Sequence, residues 1–150
     1  SLYNRGLLYL AMGDAAKAAA DMQAVVAQTK VSTATSDSAV CYGSIALRMQ
    51  KKSAAADEML KAYKRKARSQ PAEPEVAYFL KGAKTAPLVK LLLFKAKHNA
   101  KAMTLLGLEA YALNDKDDAR KYLSEVRNTG DPSADEYALA VSYLKRLGKN

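Results

Sequence analysis

The sequence predicts an all-α protein made of stacked helix–turn–helix units, and three observations carry that expectation. Twenty-nine of the 150 residues are alanine, while β-branched runs are scarce. Alanine is the best helix former and lets packed helices approach closely. Apolar residues make up 49%, enough for a core and too many for a disordered chain. Finally, one pattern is written three times, as YLAMGDAAKAAADM (9–22), ALRMQKKSAAADEM (46–59) and AYALNDKDDARKYL (110–123).

Each element follows from residue spacing. With Gly6 aligned on Gly43, Met12 falls on Met49, Ala18 on Ala55, Met22 on Met59 and Val25 on Ala62. Aligned on Gly107, the same positions become Leu113, Ala119, Leu123 and Val126. In the first unit, about residues 1–30, Leu2, Arg5, Gly6 and Tyr9 recur at helical spacing and share a face. Gly6 permits close approach of a second helix, and Gly13 suits the left-handed residue that ends the first. Asp14 is placed to accept from the free amides of the second helix, whose inward stripe is Ala18, Met22 and Val25. The second unit spans about residues 37–70. It follows VSTATSDS (31–38), read as a long turn, and Ser53 is its expected internal cap. Gly43 to Gly107 is 64 residues, so extra chain separates the second and third units. PEVAYFLKGAK and PLVKLLLFKAK, broken near Thr85–Pro87, predict an irregular short hairpin over 74–97. The third unit, about 100–129, repeats the stop–start pair as Asn114–Asp115. A final helix over 132–148 has Asp131 or Ser133 as its expected cap, and its apolar side (Tyr137, Ala140, Leu144) needs cover.

These residues resemble the tetratricopeptide repeat, a helix–turn–helix family, over about three quarters of the chain. Gly6, Gly43 and Gly107 match its small residue in the first helix. Ala18, Ala55 and Ala119 match the small residue of the second, and Met22, Met59 and Leu123 the large apolar position four further on. Tyr9 matches the large residue that follows the glycine, whereas Ala46 and Ala110 do not. Leu2 replaces the opening aromatic, which Tyr137 supplies in the last unit; Lys30 stands where the first unit's closing proline belongs. The resemblance implies a right-handed α–α superhelix, a solenoid whose concave surface, lined by the first helices, holds a protein or peptide. Carried over by alignment, that surface comprises Tyr3, Leu7, Leu10, Asp37, Val40, Ser44, Leu47, Arg48, Lys101, Thr104, Leu108, Tyr111, Ser142, Lys145 and Arg146. A branch of the family clamps acidic chaperone tails with lysines, an arginine and asparagines. The corresponding places here hold Tyr3, Leu7, Cys41, Thr104 and Leu105, and only Lys101 fits, so that mode of binding is not expected.

The formal net charge of +9 is concentrated. Residues 59–108 carry eleven basic and two acidic side chains, and no carboxylate occurs between Glu75 and Glu109. The basic patch is Lys61, Lys64, Arg65, Lys66, Arg68, Lys81, Lys84, Lys90, Lys95 and Lys97. Such a patch is either a solvated helix face or an attraction to something acidic. Tyr63, Tyr78, Phe79 and Phe94, interleaved with it at helical spacing, read as core residues before they read as base-stacking platforms.

Catalysis needs converging groups, and the sequence offers none. Cys41 is the single cysteine, so no intrachain disulfide forms, and its apolar neighbours predict a buried thiol. His98 is the single histidine and has no cysteine or second histidine with which to hold a metal. DKDD (115–118) lacks the glycine and distal glutamate of a calcium loop and reads as first-turn helix acids. The glycines are scattered, with no phosphate-cradling loop. No apolar run approaches the ~20 residues that span a bilayer, and SLYNRGLLYL lacks the pattern of a signal peptide. The expected function is therefore a non-catalytic interaction module or scaffold without cofactors, binding a protein or peptide that is acidic in part. The alternative is a basic accessory protein that binds nucleic acid or an anionic surface through residues 59–108. Self-association through open solenoid ends is a third expectation.

Overall fold

The structure, a computed structural model, describes residues 1–67 and 100–148. These form seven α-helices: α1 (Leu2–Ala11), α2 (Ala15–Gln28), α3 (Ala34–Met49), α4 (Ser53–Ala67), α5 (Ala100–Ala112), α6 (Lys116–Thr129) and α7 (Asp135–Leu147). There is no strand among the described residues, and the protein is all-α. The hairpin expected over 74–97 lies outside them, as do Arg68, Lys81, Lys84, Lys90, Lys95, Lys97 and His98.

Helices pair as α1–α2, α3–α4 and α5–α6, and the repeated glycine is where each pair closes up. A Cβ on Gly6 would stand 2.8 Å from Met22 Cε, one on Gly43 2.6 Å from Met59 Cε, and one on Gly107 2.6 Å from Leu123 Cδ2. The turns repeat as well. Gly13, Lys51 and Asn114 each take a left-handed φ (81°, 62° and 62°). The amide of the next residue bonds back five residues in every case, Asp14 to Tyr9, Lys52 to Leu47 and Asp115 to Ala110. Asp14 and Asp115 then cap α2 and α6, accepting from the Lys17 amide (3.1 Å) and the Asp118 amide (3.2 Å).

The second unit departs from the others by one residue. Its left-handed turn residue is eight positions after Gly43, whereas Gly13 and Asn114 are seven after Gly6 and Gly107. The helix that follows is offset accordingly. Ala18 and Ala119 are buried, as their alignment predicts, but Ala55 is exposed and Ala56 is buried in its place, followed by Leu60, Tyr63 and Ala67. The same offset displaces the cap: α4 begins at Ser53, and the Lys52 carbonyl receives its first amide bond. The expected long turn at 31–38 is also short. A reciprocal pair of bonds between Thr33 and Ser36 caps α3 at Thr33, so the extra residues extend that helix. Ahead of α7, Asp131 accepts from the Ser133 amide (2.9 Å) and hydroxyl (2.8 Å) in a local turn, so the N-cap position passes to Ala134.

The first helices of the units, α1, α3, α5 and α7, run parallel and pack on one another in a closed set. α3 lies on α5, α5 on α7, and α7 returns to α1, which also touches α3. Tyr143 of α7 marks the closure. Its hydroxyl donates to the Leu10 carbonyl of α1 (2.7 Å) and stands 3.5 Å from Met49 Sδ of α3, while its ring meets Tyr111 of α5 edge-on at 4.8 Å. Ser142 donates to the Ala11 carbonyl beside it. Within this set α3 is buried on all sides, at every residue from Ser36 to Leu47. On the outside, Arg5 grips Asp21 with two bonds, Nε to Oδ2 at 2.8 Å and Nη2 to Oδ1 at 2.7 Å, tying α1 to α2. Those bonds hold the Asp21 carboxyl below its ordinary pKa, against the opposing effect of its burial.

Two expectations follow. The atom facing Gly6 is the flexible tip of a methionine, whereas Gly107 faces the branch of Leu123, with Cγ only 2.7 Å from an added Cβ. Gly107→Ala therefore loses up to about 2 kcal/mol of urea stability, overpacking of ~1–3 offset by ~1 of helix propensity, while Gly6→Ala stays within about 0.5. Asp21 has a depressed folded pKa, so its contribution is complete above the ordinary carboxylate value and lost as pH falls through the folded one. The stability gap between the wild type and Asp21→Asn is then constant above about pH 5 and narrows below about pH 4, as read from urea midpoints across pH.

Candidate functional site

Closure of the parallel helices decides what the expected concave surface becomes. Eight of its fifteen residues, Leu7, Leu10, Asp37, Val40, Ser44, Leu47, Thr104 and Leu108, are buried. They are packing residues and not the floor of an open groove, because the first helices fill one another's inner faces. Tyr3, Arg48, Lys101, Tyr111 and Ser142 are half-buried, and Lys145 and Arg146 are exposed.

At the N-terminal end of the parallel set the polar residues bind one another. Tyr63 of α4 donates to the buried Asp37 carboxylate and accepts from the Ser32 amide at 2.7 Å, with Ser36 Oγ 2.9 Å away. Burial, reinforced by that bond to Asp37, raises the Tyr63 hydroxyl above its ordinary pKa. Lys101 of α5 donates to Ser38 Oγ, and Ser38 gives its own proton to the Ala34 carbonyl (2.7 Å). Cys41 is buried. No group of three histidine, cysteine, aspartate or glutamate side chains that could hold a metal occurs among the described residues, and none of their helices is long and apolar enough to cross a membrane.

Among the described residues, Arg146 lines two concavities on the outside. A shallow one of about 650 Å³ runs along the outer face of α7, lined by Tyr137, Ala138, Val141, Ser142, Lys145 and Arg146. Their spacing places them on one side of the helix, opposite the buried Leu139, Ala140, Tyr143 and Leu147. Leu8 (59%) on the neighbouring α1 and its C-cap Met12 (61%) are exposed, three residues and one residue from the Ala11 carbonyl that Ser142 holds. A second concavity of about 350 Å³ sits at the turn end of the parallel set. Met49, Lys51, Tyr111, Ala112, Asn114, Lys116, Arg146 and Leu147 line it, and no carboxylate among the described residues does. The Arg146 guanidinium lies 5.6 Å over the Tyr143 ring and 3.5 Å from the Ala11 carbonyl. Burial pushes the Tyr143 hydroxyl far above its ordinary value, although the Arg146 charge opposes this.

Of the basic patch, Lys61, Lys64, Arg65 and Lys66 are described, and all are exposed on α4. Arg65 pairs with Glu58 at 2.8 Å. Comparisons with protein-family models, with curated proteins and with solved structures find no match for this chain.

Tyr111, Ser142, Lys145 and Arg146, of the expected concave surface, line these concavities, together with Met49, Lys51, Asn114 and Lys116, which are outside that expectation. Their signal was the repeat itself. Lys51 and Asn114 stand at the same turn position as Gly13, so parallel helices bring them to one end of the molecule.

The closure is testable through its hydrogen bond. Tyr143→Phe keeps the packing and removes the donor to Leu10, whose carbonyl retains the Gly13 amide at 3.0 Å. The expected loss is about 1 kcal/mol in urea titration, with amide exchange accelerated in α1 more than in α4.

Proposed function

We propose that the chain is a divergent tetratricopeptide-like array whose right-handed superhelix is wound tightly enough for its ends to meet. Its role is that of a non-catalytic scaffold, binding an acidic, partly apolar segment of another protein. The matched contacts of Gly6, Gly43 and Gly107 with Met22, Met59 and Leu123, and the matched turns, support the repeat reading. The concavity on α7 carries the binding reading. Tyr137, Ala138 and Val141 offer apolar area at one end, Lys145 and Arg146 offer two exposed cations at the other, and Leu8 and Met12 extend the apolar surface on α1. An acidic amphipathic segment complements both features. Support for a non-catalytic role comes from the way Tyr63, Asp37, Ser38 and Lys101 satisfy one another as packing and capping groups.

A second reading rests on α4. Lys61, Lys64 and Lys66 are exposed on it; Lys61 adds to the charge around Glu58, and Lys64 and Lys66 form no ion pair among the described residues. This face suits nucleic acid or another anionic surface through residues 59–108. Affinity capture separates the two, using the wild type, Val141→Asp, and a variant with Lys61, Lys64 and Arg65 reversed to glutamate. Scaffolding through α7 expects a bound protein that is lost with Val141→Asp and kept by the reversed variant. Capture lost only with the reversed variant, and falling steeply between ~50 and ~200 mM salt, would transfer the function to the basic face.

A further inference from the structure

We infer that the concavity at the turn end is a binding site for a compact phosphate group, free or carried as a monoester by a small metabolite. Lys51, Lys116 and Arg146 bring three positive charges to its wall, and none of them has a carboxylate partner among the described residues. The acids nearest in sequence are engaged elsewhere. Asp115 caps α6 through the Asp118 amide, and Asp117 faces Arg120 at 3.9 Å; neither lines the cavity. The Asn114 amide and the Tyr111 hydroxyl add neutral donors, the latter without a protein partner among the described residues. A carboxylate would neutralise one charge of three. A phosphate, with a charge of about −1.5 to −2 and three strong acceptor oxygens, answers both the charge and the number of donors. The volume of about 350 Å³ lies at the lower end of the range for ligand pockets and admits a small molecule only.

Backbone strain is an independent observation. Lys51 holds a left-handed φ of 62°, a conformation costly for a long side chain, at a turn position that Gly13 fills in the first unit. Glycine would suit the turn better, and lysine there is explained by what its ammonium does in the cavity. The arginine is held ready in a similar way. Tyr143 supports the Arg146 guanidinium on its face, and Tyr111 is set edge-on against that same ring at 79°. The site does not depend on partner binding at α7, because Lys51 and Lys116 lie outside that surface.

The test is calorimetric titration and thermal unfolding of the full chain with orthophosphate, pyrophosphate and glycerol phosphate, against sodium chloride of equal ionic strength. At least one phosphate is expected to bind and to raise Tm by several degrees once well above its Kd. Response to orthophosphate or pyrophosphate alone identifies a free phosphate, and response to glycerol phosphate a monoester. Lys116→Gln should weaken binding roughly tenfold or more, as loss of a charged hydrogen bond does. Lys51→Gly should also bind at least tenfold more weakly while unfolding at a higher temperature than the wild type, separating a ligand role from a structural one. Lys30→Gln, beyond the end of α2, should bind as the wild type does. No phosphate response beyond that of sodium chloride overturns the site, as does a response that Lys51→Gly and Lys116→Gln both retain in full.

Discussion

The contact between the last described helix and the first governs the organisation of the molecule. Tyr143 reaches the Leu10 carbonyl, Ser142 reaches that of Ala11, and α7 thereby lies against α1. With α3 on α5 and α5 on α7, the parallel helices have no open inner face left. Side chains that would line a groove in an open array become core, which is why polar members of that face, Asp37, Ser44 and Thr104, are buried and hydrogen-bonded. Accessible surface consequently includes the outside of α7, α4 and the turn end.

Within each unit the determining feature is smaller. A glycine on the first helix leaves room for a methionine or leucine of the second, and the pair approaches as closely as its backbones allow. Because helical phase advances about 100° per residue, a single added position before a turn rotates the whole following helix by that angle. The second unit shows this. With the left-handed residue at Lys51, Ala56, Leu60 and Tyr63 take the buried stripe and Ala55 turns to solvent. Met59 still fills the space over Gly43, since an unbranched side chain tolerates the rotation.

Charge follows the same geometry. Parallel first helices place all the intra-unit turns at one end, so Lys51, Lys116 and Arg146, far apart in sequence, come to share a cavity. Summed along the chain, these three are unremarkable beside the excess in residues 59–108, because acids in the same segments cancel them. In space those acids are spent on caps and on outward pairs.

Periodic spacing and composition determined the helices themselves. Alanine content, the glycine to large-residue interval and the Gly13–Asp14 and Asn114–Asp115 signals fixed helix type, pairing and two caps, since each depends on residues a few positions apart. Local chemistry also contained the Thr33–Ser36 capping box, hidden in a serine- and threonine-rich stretch that reads as loop. Tertiary structure alone decided that α7 meets α1. The energy of that closure lies in contacts such as Tyr143 with Leu10 and Tyr111, between residues more than thirty positions apart, and no local pattern records them. The face of the first helices is legible as apolar either way; whether it holds a partner or a sister helix is set by contacts between helices distant in sequence.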